Sequence, residues 1–163
     1  MNKIDLSYSY CDMPDKDGRE GYRNISYKFA IDGSSSTPFH HCLDLYGLVK
    51  STKHDGEFFI FTCTCGEPEC ANINFGILVT HEGNFIHWKV PNPIQQDSES
   101  DYGDEPEKYD EFIFERDSYI TTIRDALNQL KNFITSYNGG VHSKIIFGLA
   151  DFLRAEAVLL LNL

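Results

Sequence analysis

EFFIFTCTCGEPECANINFGILVTHEGNFIHWKV, residues Glu57 to Val90, is the stretch around which this chain is arranged. An apolar run, Phe58 to Phe61, reads as a buried strand. Three of the five cysteines follow within eight positions, as Cys63-Thr-Cys65-Gly-Glu-Pro-Glu-Cys70. Two strand-like runs then meet across Glu82-Gly83. If that pair is a two-residue turn, Val79 faces Ile86, Ile77 faces Trp88 and Phe75 faces Val90. All six share one side, because strand side chains alternate with period two. Moving the turn to Gly83-Asn84 keeps that parity. The opposite face, with Leu78, Thr80, Phe85 and His87, is also fairly apolar, so both faces are expected to be at least partly covered.

Upstream, Ile4, Leu6, Tyr8 and Tyr10 alternate with polar residues as a half-buried strand. Ile25, Tyr27, Phe29 and Ile31 share one face of a second strand, from Tyr22 to Asp32. The two make a first hairpin across the charged loop between them. His40 to Val49 has the spacing of a short helix, weakened by Gly47. Downstream, Pro91 and Pro93 end the central hairpin, and Glu111 to Glu115 is a short strand near a sheet edge. Ile120, Ile123, Leu127, Leu130, Ile134 and Tyr137 recur at three- and four-residue steps, the mark of an amphipathic helix. Asp117 or Ser118 is placed to cap it, and Asn138-Gly139-Gly140 to stop it.

A last helix is expected from about His142 to Leu160, with Ile146, Leu149, Leu153, Ala157 and Leu160 on one face. Its end is apolar nearly all round, so it must bury itself against the sheet or against a second copy of the chain, as a homodimer. The expected fold class is α+β, a mostly antiparallel sheet of five or six strands with two C-terminal helices packed on one face. The whole chain, 1–163, reads as a single domain.

Composition bounds the function. The chain carries a net charge of −11, with 41% hydrophobic and 13% aromatic residues, values of a folded protein. So acidic a surface disfavours nucleic acid and anionic membranes and attracts basic partners. No apolar run approaches the roughly 20 residues of a membrane span, and Met1 to Leu6 lacks the apolar core of a signal peptide. An odd number of cysteines without a secretory signal points to the cytoplasm, with free or metal-bound thiols. The acids concentrate at Asp97, Glu99, Asp101, Asp104, Glu105, Glu107, Asp110 and Glu111, opposed only by Lys108. Such a segment reads as an exposed loop suited to contacting a basic protein.

The cysteines are the sharpest chemical signal. Cys63 and Cys65, alternate residues of a strand, lie on one side, and Gly66 with Pro68 can turn the chain to return Cys70. Three thiols so placed suit zinc, with Cys42, His40, His41, His81 or His87 as fourth ligand. The other reading is three half-buried thiols in a tight structural loop. A catalytic cysteine is disfavoured, because Glu67 and Glu69 would raise a thiol pKa. Disulfide exchange is disfavoured by the absence of C-x-x-C. No phosphate-binding glycine loop, G-x-S-x-G or H-E-x-x-H is present, so no catalytic residues are assigned and an enzyme is not the default.

Phe61-Thr-Cys63-Thr-Cys65-Gly-Glu-Pro-Glu-Cys70-Ala resembles a motif, F-T-C-[ST]-C-G-x3-C-A, of small uncharacterised bacterial proteins. There an apolar strand precedes it, a tryptophan follows, and a C-terminal amphipathic helix begins near a tyrosine, as at Trp88 and Tyr119. The resemblance spans roughly residues 57 to 135 and implies that the cysteine loop is a signature of the fold. Just after Ala71 this chain has Asn72 where glycine is expected. Small size, the lack of a catalytic motif and the acid-rich segment also resemble acidic bacterial immunity proteins. That resemblance implies a cytoplasmic protein that neutralises a toxin, a nuclease for instance, by binding its basic surface. The alternative is a zinc-stabilised module or metal-dependent enzyme centred on Cys63, Cys65 and Cys70.

Overall fold

The computed structural model describes residues 1–16, 20–34, 42–92, 106, 108–142 and 146–147. The two N-terminal strands, β1 (Ile4–Met13) and β2 (Tyr22–Ile31), form a long antiparallel hairpin. Its register sets Ile4 opposite Ile31, Leu6 opposite Phe29 and Tyr10 opposite Ile25, so the alternating apolar residues fall on one face as the period-two pattern requires. Next come β3 (Cys42–Asp44), a six-residue helix α1 (Leu45–Lys50), β4 (Gly56–Phe58) and β5 (Phe61–Thr62). The central hairpin is β6 (Ile77–Glu82) and β7 (Phe85–Pro91). It is followed by β8 (Tyr109–Glu115), the long helix α2 (Arg116–Thr135), β9 (Gly140–His142) and β10 (Ile146–Phe147).

These ten strands form three sheets, in the orders β1-β2-β9, β10-β3-β5 and β4-β6-β7-β8. The fold is therefore α+β, but the expected single sheet with two C-terminal helices is wrong. Among the described residues only α2 is a helix of any length. The start of the expected last helix is extended instead: β9 pairs parallel with β2 and β10 parallel with β3. Gly139 and Gly140 break the helical path, and the β-branched Val141 and Ile146 suit strands. The remainder of that expected helix lies outside the described residues. The short helix expected from His40 begins only at Leu45, after β3. There the Asp44 carboxylate accepts from the Tyr46 and Gly47 N–H groups at 2.8 and 3.1 Å.

The central turn is Gly83-Asn84 rather than Glu82-Gly83. Glu82 pairs with Phe85, and Val79 with Trp88. Gly83 takes φ +57, a conformation that glycine adopts without strain. Parity survives the one-residue change, so Ile77, Val79, Ile86, Trp88 and Val90 all point into the core. The opposite face is only partly covered: Leu78, Phe85 and Ile113 are 37 to 40% exposed. The apolar run Phe58 to Phe61 also divides, its first residue ending β4 and its last opening β5 in another sheet.

Helix α2 closes the core. Tyr119, Ile123, Ala126, Leu127, Leu130 and Ile134 form its buried stripe. Its cap is Glu115, the last residue of β8, whose carboxylate accepts from the N–H groups of Asp117 and Ser118 at 3.1 and 2.6 Å. That placement replaces the caps expected at Asp117 or Ser118. The helix also lies along the outer edge of β1, where the Tyr8 N–H donates to Gln129 Oε1 at 3.0 Å. At Tyr8 the β1 edge is thereby blocked from pairing with another chain. At the far end of β1, the Asn2 N–H donates to the Ile113 carbonyl and Asn2 Oδ1 accepts from the Ile113 N–H, both at 2.7 Å. The Asn2 amide nitrogen reaches Asp32 as well, so one residue ties the first hairpin to β8.

Arg23 fastens the C-terminal end of α2. Its guanidinium pairs with both Asp12 carboxylate oxygens at 2.6 and 2.7 Å. Its remaining arm donates to the Phe133 carbonyl and Ser136 Oγ at 3.0 and 2.9 Å. The rings of Tyr10 and Tyr137 lie against the cation, 3.7 and 4.8 Å away. A cation here satisfies the Phe133 carbonyl near the end of the helix and complements its dipole. The hydrogen bonds from Arg23 hold the Asp12 carboxyl below its ordinary value of 3.8. For a depressed carboxyl, the stabilisation is complete above the unfolded value and is lost as pH falls through the folded one. Asp12→Asn should therefore lower the melting temperature at pH 7, and the gap from wild type should close as pH drops below 3.8. A gap that stays constant down to pH 2 would refute the assignment. Arg23→Lys should cost nearly as much as Arg23→Ala, because an ammonium cannot supply the fork.

Candidate functional site

The chain leaves β5 at Thr62 and enters the cysteine loop at once. The Gly66 N–H donates back to the Cys63 carbonyl at 3.0 Å, and Gly66 itself takes φ +87. Pro68–Ala71 is a single 3-10 turn that carries Cys70. It closes through the Asn72 N–H to the Glu69 carbonyl at 2.9 Å and the Ile73 N–H to the Pro68 carbonyl at 3.1 Å. Asn72 sits in the left-handed region at φ 55. That explains why glycine was expected there and why asparagine, the side chain most tolerant of that region, serves instead. Ile60, Phe61 and Ile73, all buried, anchor the two ends of the loop.

The sequence reading brought the three cysteines together, and so does the fold. The sulfurs of Cys63, Cys65 and Cys70 all lie within 4.8 Å of one another, with Cys63 half-buried and the other two exposed. Such a group can hold a metal ion when reduced. Two of the three are not free thiols, however. Cys63 and Cys65 form a disulfide across one intervening residue, with Cα atoms 5.4 Å apart, while Cys70 remains a free thiol. The Cys65 N–H also donates to Cys63 Sγ at 3.3 Å.

No fourth protein ligand joins them among the described residues. Cys42 faces Thr62 across the β3–β5 pair, so it points to the opposite side from Cys63, and burial pushes its thiol up. His81 Nε2 lies 3.0 Å from the Ser51 carbonyl, and His87 Nε2 is 3.7 Å from Glu82. His40 and His41 lie outside the described residues.

Of the acid-rich segment, Asp97, Glu99, Asp101, Asp104, Glu105 and Glu107 lie outside the described residues. Asp110 and Glu111 are exposed on β8, the edge strand. Each has a neighbour: Asn92 donates to Asp110 at 3.0 Å, and Lys89 pairs with Glu111 at 3.5 Å.

The sequence reading missed the outer face of the four-stranded sheet as a surface. The register aligns Glu57, Leu78, Lys89 and Glu111 in one row, Thr80, His87 and Ile113 in the next, and Glu82, Phe85 and Glu115 in a third. Glu57, Glu82, Glu111 and Lys89 thus surround three exposed apolar side chains, while the Glu115 carboxylate is engaged at the start of α2. The signal was present in the alternation of β6 and β7, where the second face is apolar too. Between β1 and α2 runs an open groove of about 570 Å³, lined by Lys3, Asp5, Ser7, Thr122, Asp125 and Gln129 among others. No described helix is long and apolar enough to cross a membrane. No protein family, curated protein or solved structure is detectably similar to the chain.

Proposed function

We propose that the protein works by binding a basic protein, as a cytoplasmic immunity protein binds the toxin it neutralises, a nuclease being the toxin class whose basic surface suits it best. The observation that carries this reading is the outer face of the β4-β6-β7-β8 sheet. An apolar centre of Leu78, Phe85 and Ile113 rimmed by glutamates has the anatomy of a protein interface. The acid-rich run ends on the same sheet, at Asp110 and Glu111 of β8. Long-range attraction of this kind acts mainly on the association rate.

The test is binding to the product of a neighbouring toxin gene, followed by stopped flow over a range of ionic strength. Neutralising Asp101, Asp104, Glu105 and Glu107 to Asn or Gln should slow association about tenfold at low salt and flatten the salt dependence. Phe85→Ala or Ile113→Ala should act instead on dissociation. Association rates unchanged at every salt concentration would remove the acidic segment from the interface.

A second reading is favoured by the convergence of the three sulfurs: a zinc ion held by Cys63, Cys65 and Cys70 that stabilises the loop or equips it for metal-assisted chemistry. Protein purified under reducing conditions should then hold one zinc per chain and shield three thiols from alkylation. A folded, zinc-free protein with all three thiols reactive would end that reading.

A further inference from the structure

We infer that Cys63, Cys65 and Cys70 form a thiol–disulfide exchange centre: Cys63 and Cys65 trade a disulfide with small thiols and disulfides of the glutathione class, and Cys70 re-pairs it from within the loop. The inference is independent of partner binding. It uses the same sulfurs as the zinc reading, in the oxidised rather than the reduced state.

Two observations carry it. A disulfide that works as a staple gains stability from the length of chain it closes, and this one closes over a single residue. Its presence is therefore poorly explained by stapling. Next, exchange requires access and a thiol close to the bond it attacks. Cys65 and Cys70 are exposed, and the Cys70 sulfur is within 4.8 Å of both partners. The missing C-x-x-C spacing is thus replaced by a C-x-C pair with a third sulfur returned by the Gly66 and Pro68 turns. Proximity does the activating.

The internal step balances without an external oxidant. Cys70 gives its proton to water and its thiolate attacks Cys65 Sγ. The Cys65–Cys70 bond forms as the Cys63–Cys65 bond breaks, and the electron pair remains on Cys63, which takes a proton from solvent. In the external step the Cys63–Cys65 disulfide and two glutathione thiols give two cysteine thiols and one glutathione disulfide. Two electrons and two protons pass to the protein, and the reverse reaction restores the bond.

The experiment equilibrates the full chain, stripped of metal, in buffers of reduced and oxidised glutathione. Acid quenching, alkylation and peptide mass spectrometry then map the pairings. Wild type should show Cys63–Cys65 and Cys65–Cys70 species that interconvert, and Cys70→Ser should lose the second while keeping the first. Glutathione adducts on all three cysteines with no pairing inside the loop would overturn the inference, as would a Cys63–Cys65 bond that never re-pairs with Cys70. A parallel arm adds zinc to the reduced chain. Zinc binding with no exchange in the metal-free arm would sink exchange and leave the zinc reading standing. Exchange without zinc binding would do the opposite, and exchange blocked by bound zinc would support both.

Discussion

Replacing Trp88 with alanine is expected to cost about 3–5 kcal/mol, a large share of the ~5–15 kcal/mol that holds a typical domain together. Trp88 is 1% exposed and stands where the layers of the fold meet. Its ring stacks on Phe29 of β2 at 6.2 Å and meets Phe114 of β8 and Tyr119 of α2 edge-on, at 5.4 and 5.8 Å. Phe29 in turn meets Phe61 of β5 at 5.4 Å. One cluster of rings thus draws on all three sheets and the long helix, and none of those elements can close a core alone. Truncation would leave a cavity bordered by rigid aromatic rings, which relax poorly, so the upper half of the range is expected. Trp88→Phe, which keeps a ring against Phe29, should cost only about 1–3 kcal/mol. Urea unfolding should be followed by circular dichroism, because Trp88 is the sole tryptophan and its removal abolishes the fluorescence signal. A loss below about 1 kcal/mol for the alanine variant would mean that the three sheets do not depend on a common core.

The faces of the strands were legible in the sequence because period-two parity does not depend on register. Val79 and Trp88 point inward whether the turn is Glu82-Gly83 or Gly83-Asn84. The register itself was not legible, since both dipeptides can turn, and the choice follows from how β8 and β4 pair on either side. Whether the second face is covered depends on other parts of the chain, which alternation in β6 and β7 cannot report. The C-terminal misreading has a similar origin. Val141 and His142 pair with Arg23 and Asn24 of β2, a partner far away in sequence, while the local spacing of leucines suggested a helix. In the candidate site, Gly66 and Pro68 announced that Cys70 would return to Cys63 and Cys65. Spacing alone says nothing about oxidation state, so the disulfide was invisible to it.

Along α2 the sequence and the structure agree most closely, and there a graded set of substitutions should separate packing from propensity. Leu130 is fully buried, with 0% of its surface exposed, on the stripe that also holds Ile123, Leu127 and Ile134. Leu130→Ala should cost about 2–5 kcal/mol, since the gain in helix propensity is a few tenths at most. Two positions earlier Asn128 is exposed. Asn128→Ala removes a poor helix former from a solvated face and should stabilise by up to about 0.5 kcal/mol. Gln129 falls between them. Its side chain accepts from the Tyr8 N–H, so Gln129→Ala leaves a backbone donor of β1 without its partner, at a cost of about 1–2 kcal/mol. Chemical denaturation of the three variants at one pH measures all of these. The order expected is Leu130 far worst, Gln129 intermediate and Asn128 neutral or better. Equal losses at Leu130 and Asn128 would show that α2 is held by its own helical tendency rather than by the sheets it covers. A helix that docks as described cannot give that result, because only one of its faces has anything to lose.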